Sequence, residues 1–319
     1  MFKTFKNYIL SGLVVTTAFA APIAAQADQA YIPVISKGFQ HEFWLAVKKG
    51  TEDAANELGY TTDFVGPASE TMIDQQVNMV ENAIQKKPTA IILAALDKQA
   101  LIPVVEKARA ADIPIVTFDS GVESDYPKSF VATDNVAAGA LAARAMAEEL
   151  GGKGLVSIIA HNAGTSSAID RSQGFIDEIE ANYPDIKLLE IIYSDGDPQK
   201  ALDRTLNVIR SQKDLTGIYA TNEGASLGVS LAVKNMDRKD LAVFGFDSSE
   251  AIVNYLKDGI LDGFVVQDPY QIGYQSMMTT DKVLKGEEVE PIQNIDGVLI
   301  TGDNFDDPDV QKRLFPLDN

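Results

Sequence analysis

Ile113-Pro114-Ile115-Val116-Thr117-Phe118-Asp119-Ser120 and Leu241-Ala242-Val243-Phe244-Gly245-Phe246-Asp247-Ser248 are the two stretches on which the fold turns. Each is a short, nearly continuous apolar run that ends in Phe-Asp-Ser. A strand that is apolar on both faces must be covered on both, as in a parallel sheet flanked by helices. Working outward, further strands are expected at 30–35, 62–65, 90–95, 155–160, 188–192, 217–220 and 263–266. Helical periodicity fills the intervals: Phe43, Val47, Gly50, Ala54 and Leu58 fall at three- and four-residue steps on one face. Comparable segments lie near 73–86, 99–110, 135–150, 169–182, 199–212, 225–235, 249–258 and 271–285. Strand and helix alternate throughout, so the expected fold class is α/β with parallel sheets. The Phe-Asp-Ser echo, with the same element order around it, points to two similar lobes.

Composition narrows the function. At 319 residues the chain has the length of two domains. Its 46 acidic against 27 basic residues give a net charge of -19, the wrong sign for a nucleic-acid backbone. With no cysteine there is no disulfide, thiol nucleophile or thiolate metal site, and only two histidines are present. No metal or cofactor is expected. The acidic tail at 303–309 lacks the Asp-x-Asp-x-Asp-Gly order of a calcium loop and reads as solvated surface.

The N-terminus reads as an address. Lys3 and Lys6 precede an apolar run from Tyr8 to Ala20, and small residues, Ala25 and Ala27, flank Gln26. That is the layout of a secretory signal peptide, too short in its apolar part for a permanent span of ~20 residues. Cleavage is expected after Ala27. Removing two lysines and no acid makes the mature chain, starting at Asp28, more acidic still. No cysteine at that junction leaves no lipoprotein anchor, so a soluble, exported protein is expected.

In open parallel sheets, ligands bind beyond the carboxyl ends of the strands. Those ends present Lys37 to Trp44, Asp97, Asp119 and Ser120, then His161 and Arg171, and later Asp195, Asn222, Glu223, Asp247 and Gln267. Carboxylates accept, a guanidinium donates and amides do both, the mixture that polyhydroxylated ligands need. Aromatic faces such as Phe43 and Trp44 can cover the C–H surface of a sugar ring, though core packing is their ordinary role. Any single strand-terminal Asp or Asn is as readily a helix cap. His161, with no partner histidine at metal spacing, reads as structural. Enzyme signatures fail: there is no Gly-x-Gly-x-x-Gly after the first strand, no Walker-type phosphate loop and no Gly-x-Ser-x-Gly elbow. Ser166 and Ser167 beside His161 are neighbours in sequence, which is no triad geometry. No catalytic residue is expected.

Five strings carry a resemblance: Gly164-Thr165-Ser166-Ser167-Ala168-Ile169-Asp170-Arg171-Ser172-Gln173-Gly174-Phe175, Thr133-Asp134-Asn135, Asn222-Glu223-Gly224-Ala225-Ser226-Leu227-Gly228, Phe244-Gly245-Phe246-Asp247, and Gln267-Asp268-Pro269-Tyr270-Gln271-Ile272-Gly273. In this order they resemble the ribose-type periplasmic sugar-binding proteins, receptors of ABC transporters, across essentially the whole mature chain. The resemblance implies a type I periplasmic binding protein: two Rossmann-like lobes joined by a three-strand hinge, closing on a ligand in the cleft. Crossings would fall near 132–135, 267–269 and 295–297. Residues 28–133 with 268–295 would form the first lobe, and 134–267 with 296–319 the second. It further implies a monomer that presents a small sugar or polyol to an inner-membrane permease, with a chemoreceptor as a second candidate partner.

By carry-over, Asp119 accepts from sugar hydroxyls, Arg171, Asn222, Asp247 and Gln267 serve the second lobe, and Phe43 and Trp44 sandwich the ring. This chain also departs from the family. Ser120 stands where ribose receptors have arginine, and Gly196 where they place an aromatic. The loop Lys37-Gly38-Phe39-Gln40-His41 is longer and more basic than usual, so Lys37, Phe39, His41 and Ser120 join the candidate set. Lys37 or His41 is expected to replace the lost donors. Strings around Tyr31-Ile32-Pro33 and Val65-Gly66-Pro67 are similar to autoinducer receptors of the same superfamily, which leaves a sensor-presented furanose as the alternative. Sugar-responsive repressors share such lobes, but a signal peptide stands where their helix-turn-helix would be.

Overall fold

The computed structural model describes residues 1–2, 30–315 and 317. Apart from residues 1 and 2, the expected signal peptide lies outside the described residues. In chain order the elements are β1 (Val34–Ile35), α1 (Glu42–Leu58), β2 (Phe64–Val65), α2 (Ile73–Gln85), β3 (Ile91–Leu93), α3 (Ile102–Ala110), β4 (Ile115–Phe118) and β5 (Phe130–Thr133). There follow α4 (Asn135–Glu149), β6 (Lys153–Ala160), α5 (Ser166–Asn182), β7 (Asp185–Leu188), β8 (Ile192–Tyr193), α6 (Pro198–Ser211), β9 (Gly217–Ala220), α7 (Glu223–Met236), β10 (Ala242–Phe246), α8 (Glu250–Lys257) and β11 (Gly263–Val266). The chain closes with α9 (Pro269–Leu284), β12 (Ile292–Ile295), β13 (Val298–Thr301) and α10 (Pro308–Leu314).

Two sheets result. The first runs β12-β5-β4-β3-β1-β2 and the second β13-β11-β10-β9-β6-β7, with β8 also on β6. Pairing is parallel except between β11 and β13. The apolar runs explain this. Val34, Ile92 and Phe118 pack on one face of the first sheet, while Ile35, Ile91, Leu93 and Ile115 pack on the other. In the second sheet Val156, Ile158 and Tyr219 face one layer, and Ile159, Ile218 and Phe264 the other. The α/β alternation is therefore a consequence of strands buried twice over.

Helix starts and stops are chemically marked. Asp134, Asp197, Asn222 and Asp268 each accept a backbone N–H from the first turn of the helix they precede. Pro198 and Pro269 occupy first-turn positions where no N–H is missed. In each lobe one helix pair packs backbone to backbone through two glycines. A Cβ on Gly50 would lie 2.1 Å from the Tyr270 carbonyl oxygen, and one on Gly273 2.1 Å from that of Val47. Between α4 and α5, Gly139 and Gly174 meet the Arg171 and Val136 carbonyls at the same 2.1 Å.

Two expectations are corrected, while the acidic residues of 303–309 are exposed as expected. The strand expected over 188–192 is two pieces: β7 pairs with Lys153–Val156, and β8 with Ile159–Ala160, so residues 189–191 bridge successive parts of β6. β5, β12 and β13 are additional strands. β12, Ile292-Gln293-Asn294-Ile295, is an edge strand with exposed residues, and its sequence carries little apolar signal. The acidic tail leads into α10, capped by Asp307, which buries Val310 and Leu314.

The chain passes between sheets at three places: from β5 into α4, from β11 into α9, and from β12 to β13. Thr133 and Gln267 are hydrogen-bonded there, Oγ1 to Oε1, at 2.7 Å.

Candidate functional site

Asp119 and Asp247 end β4 and β10 at the carboxyl edges of the two sheets. Both have left-handed backbones, with φ of 54° and 66°. Aspartate tolerates that region better than most residues. Each anchors its own N–H on the neighbouring strand, Asp119 to the Val131 carbonyl and Asp247 to that of Val265. The carboxylates project into the space between lobes.

Around them lies a chamber lined by Lys37, His41, Phe43, Trp44, Glu70, Asp119, His161, Arg171, Asn222, Asp247 and Gln267. Of the residues expected from the sequence, nine converge here. Phe39 does not: it is 43% exposed and packs edge-on against Phe64. Ser120 is buried beneath the wall, where it bonds Lys37, Asp119 and Ser167. A larger hollow of about 1090 Å³ adjoins the chamber through Phe43, Asp247 and Gln267, but its other walls are largely apolar and include Leu314, Phe315 and Leu317. The smaller chamber, where charged and amide groups converge, is the candidate site.

In the first lobe, Lys37 Nζ stands 2.8 Å from Asp119 Oδ2 and 2.9 Å from Ser120 Oγ. The same ammonium lies 5.7 Å from the Trp44 ring centroid. Trp44 Nε1 donates to Glu70 Oε1 at 3.1 Å, and Phe43 meets the Trp44 ring edge-on. Trp44 is thus both core and wall. In the second lobe, Gln267 Nε2 donates to Asp247 Oδ1 at 2.6 Å and the Glu223 N–H donates to Oδ2 at 3.0 Å. Arg171 lies 4.0 Å from Asp247 and stacks 3.7 Å above the Phe246 ring. Its Nε donates to Asn135 Oδ1 and its Nη1 to the Thr221 carbonyl, each at 2.8 Å. Burial pushes the Asp247 carboxyl up, and the guanidinium opposes it. Asn222 serves twice: Oδ1 caps α7 through the Ala225 N–H, while the side chain lines the chamber.

His161, expected to be structural, is so and also forms wall. Nδ1 contacts Thr221 Oγ1 at 2.8 Å and Nε2 contacts Ser167 Oγ at 3.2 Å. Burial, reinforced by the charges of Lys37 and Arg171, holds it well below the ordinary histidine value, so the ring is neutral. Glu70 was missed because it stands five residues beyond β2, past the Val65-Gly66-Pro67 turn; extending each strand end by half a dozen residues would have found it. His41 Nε2 is buried without a hydrogen-bond partner in the protein.

The lobes meet around the chamber. Thr165 Oγ1 donates to the Leu96 carbonyl at 2.7 Å, Gly121 N–H to Ser166 Oγ at 2.9 Å, and Lys98 N–H to the Gly164 carbonyl at 3.0 Å. Among the described residues no helix is long and apolar enough to cross a membrane, and no cluster of metal-ligating side chains is present.

Comparison with known proteins places this geometry. Residues 30–288 match the periplasmic binding protein domain. A ribose import binding protein of Haemophilus influenzae is 30% identical over 282 residues, covering 88% of this chain and 92% of the relative. A solute-binding protein of an ABC transporter from Agrobacterium vitis, solved with D-fucose, is 39% identical with a TM-score of 0.86, covering 89% of this chain and all of that one. One from Agrobacterium radiobacter, solved with D-arabinose, is 32% identical at a TM-score of 0.87, covering 90% and 99%. Fold, strand-end chemistry and similarity agree that the chain belongs to the periplasmic binding protein domain family.

Proposed function

We propose that this protein is the sugar receptor of an ABC importer and encloses one monosaccharide or sugar alcohol between its lobes. The observation that carries the reading is the chamber itself, in which each lobe contributes a carboxylate and a cation. With Glu70 the chamber holds three carboxylates and two cations, a set of acceptors and donors that suits a neutral polyol, whose hydroxyls donate to carboxylates and accept from cations. The buried, unpartnered His41 Nε2 leaves one more polar contact for a ligand hydroxyl to complete. Asp119, Asp247 and Glu70 accept; Lys37, Arg171, Asn222 and Gln267 donate; Phe43 and Trp44 cover an apolar ring face. Lys37, paired with Asp119, supports its expected role as the donor replacing the family's arginine at Ser120. Ligand binding works by favouring the closed arrangement, because a ligand shifts such an equilibrium only through differential affinity. Residues 28–133 with 268–295 and 134–267 with 296–319 move as the two lobes, and the closed face docks on a membrane permease. The chain is exported to the periplasm with its leader removed after Ala27, acts as a monomer, and no residue performs covalent chemistry.

The test is thermal shift of the mature protein against D-fucose, D-arabinose, D-tagatose, D-ribose, D-allose, xylitol and autoinducer-type furanoses. A ligand at a hundredfold excess over its dissociation constant adds about 2.7 kcal/mol of stability. A shift of several degrees with a sugar or polyol is expected. A shift with the furanose autoinducer alone assigns the protein to signalling, and no shift from folded, ligand-free protein overturns both readings.

A further inference from the structure

Helix α1 of the first lobe begins without a local cap. His41 occupies the N-cap position, yet its side chain accepts nothing from the helix. The exposed N–H groups of a first turn need acceptors. Here the acceptor comes from the opposite lobe: Glu223, the first residue of α7, brings Oε2 to 3.5 Å from the Phe43 N–H, with the Glu42 N–H beside it. The exchange is reciprocal. Glu42, the first residue of α1, presents its carboxylate to the Glu250 N–H at the start of α8 in the second lobe. Between them the His41 ring stands 3.9 Å from Glu223 and 3.8 Å from Glu70. Close approach at this point is built in: a Cβ on Gly224 would lie 3.1 Å from His41 Cε1 and 1.9 Å from the Gly196 carbonyl oxygen.

We infer that Glu223 is a positioning residue for ligand capture, holding the lobes shut by capping α1 across the cleft while lining no part of the chamber. The inference rests on the sugar-receptor reading for its ligand but not for its geometry. These bonds span the two lobes, so they are lost when the lobes part. Glu223 faces His41 and Glu42 from α1 and Asp247 from the end of β10, with Glu70 behind His41 and Arg171 beside Asp247. Burial first, then the Asp247 charge, pushes its carboxyl up to about 8, against the lowering by the α1 N–H groups. In a parted cleft the carboxyl regains water and moves toward the ordinary glutamate value of about 4.3. Closure therefore takes up a proton between those values. The sign follows: a group whose acidity falls on closure favours the closed form at low pH, and affinity declines as pH rises toward 8.

The decisive experiment measures the dissociation constant of whichever panel sugar gives the largest thermal shift, between pH 6 and pH 9. Wild-type protein is expected to weaken about tenfold or more over that range, within the limit of tenfold per pH unit for one proton. Glu223→Gln, which copies the shape of the protonated acid and takes up no proton on closing, is expected to bind tighter than wild type at pH 6, by up to about fiftyfold, and to lose the slope. Glu223→Ala, which likewise takes up no proton, is expected to bind about tenfold more weakly than Glu223→Gln at pH 6, the size of one lost hydrogen bond. Equal slopes in wild type and Glu223→Gln, or equal affinity in Glu223→Ala and Glu223→Gln, overturn the inference. Because the chain has no cysteine, labels on Met72→Cys and Tyr193→Cys also report lobe separation without any sugar. A ligand-free closed fraction that is the same in Glu223→Ala and Glu223→Gln overturns the latch, whatever the panel shows.

Discussion

The ends of β4 and β10 are the same construction used twice, and they differ in what surrounds the carboxylate. The two sheets have matching strand orders, position for position, so Asp119 and Asp247 occupy equivalent edges with the same left-handed backbone. Asp119 is already paired: an ammonium at 2.8 Å and the Ser120 hydroxyl hold one oxygen. Asp247 is held by an amide and a backbone N–H, with its cation at 4.0 Å and committed to Asn135 and Thr221. The repeated strand end places a carboxylate; unrepeated loops decide its charge partner. The second lobe thus keeps the carboxylate whose cation stands off at 4.0 Å, and the first lobe the one in direct contact with its ammonium.

The sharpest way to break that contrast is Arg171→Ala. It strips Asp247 of its cation and leaves Asn135 Oδ1 and the Thr221 carbonyl without a donor in a buried region. Removing one partner of a buried ion pair costs about 3–5 kcal/mol, so equilibrium denaturation should show that loss and sugar binding should disappear. Arg171→Lys should recover little, because an ammonium cannot replace two forked donors and a face stacked on Phe246. Lys37→Met should cost less, about 3 kcal/mol, since Ser120 still donates to Asp119. Adding Asp119→Asn should return most of that stability. If Lys37→Met proves as damaging as Arg171→Ala, the two half-sites are equivalent and the contrast fails.

Much of this was legible in the sequence, and the failures share a cause. Strands buried on both faces announce themselves by unbroken apolar runs, so β4, β9, β10 and β11 were plain. β12 and β13 are short edge or crossing strands set by pairing with distant partners, Phe130–Thr133 and Gly263–Val266, which no local pattern encodes. The chamber residues on strand ends were visible because parallel sheets put ligands there. Glu70 was hidden by distance from its strand, and the role of Glu223 by the fact that its partner helix lies in the other lobe. Phe39 was included because its loop is basic and aromatic, but its ring finds Phe64 instead.

The lobes can be compared again through their glycine pairs. Gly139→Ala would drive a methyl group to 2.1 Å from the Arg171 carbonyl, and Gly50→Ala does the same at Tyr270. Helices must then separate, which costs about 1–3 kcal/mol in a packed interior. Urea titration should show both losses. Gly139→Ala should also weaken sugar binding more, because α5 carries the Arg171 guanidinium into the chamber, whereas in the Gly50 pair α1 brings only the rings of Phe43 and Trp44, at its first turn, and α9 brings no chamber residue. Equal binding losses in both variants would mean that the glycine pairs support the lobes in general and not Arg171 in particular.

The smallest expected effect belongs to Phe39, and it separates what the loop was expected to do from what it does. The ring is 43% exposed and rests on Phe64 with centroids 5.7 Å apart, outside the chamber. Its loop neighbours Lys37 and His41 are 4% and 5% exposed and face inward. Phe39→Ala removes an edge contact at a wet surface and should change stability by no more than about 1 kcal/mol. The sugar dissociation constant, by calorimetry, should stay within about twofold, below the ~1.4 kcal/mol that a tenfold change requires. A tenfold loss would mean that the loop closes over the ligand with Phe39 inward, and that the basic loop, more than the strand-end carboxylates, distinguishes the first lobe from the second.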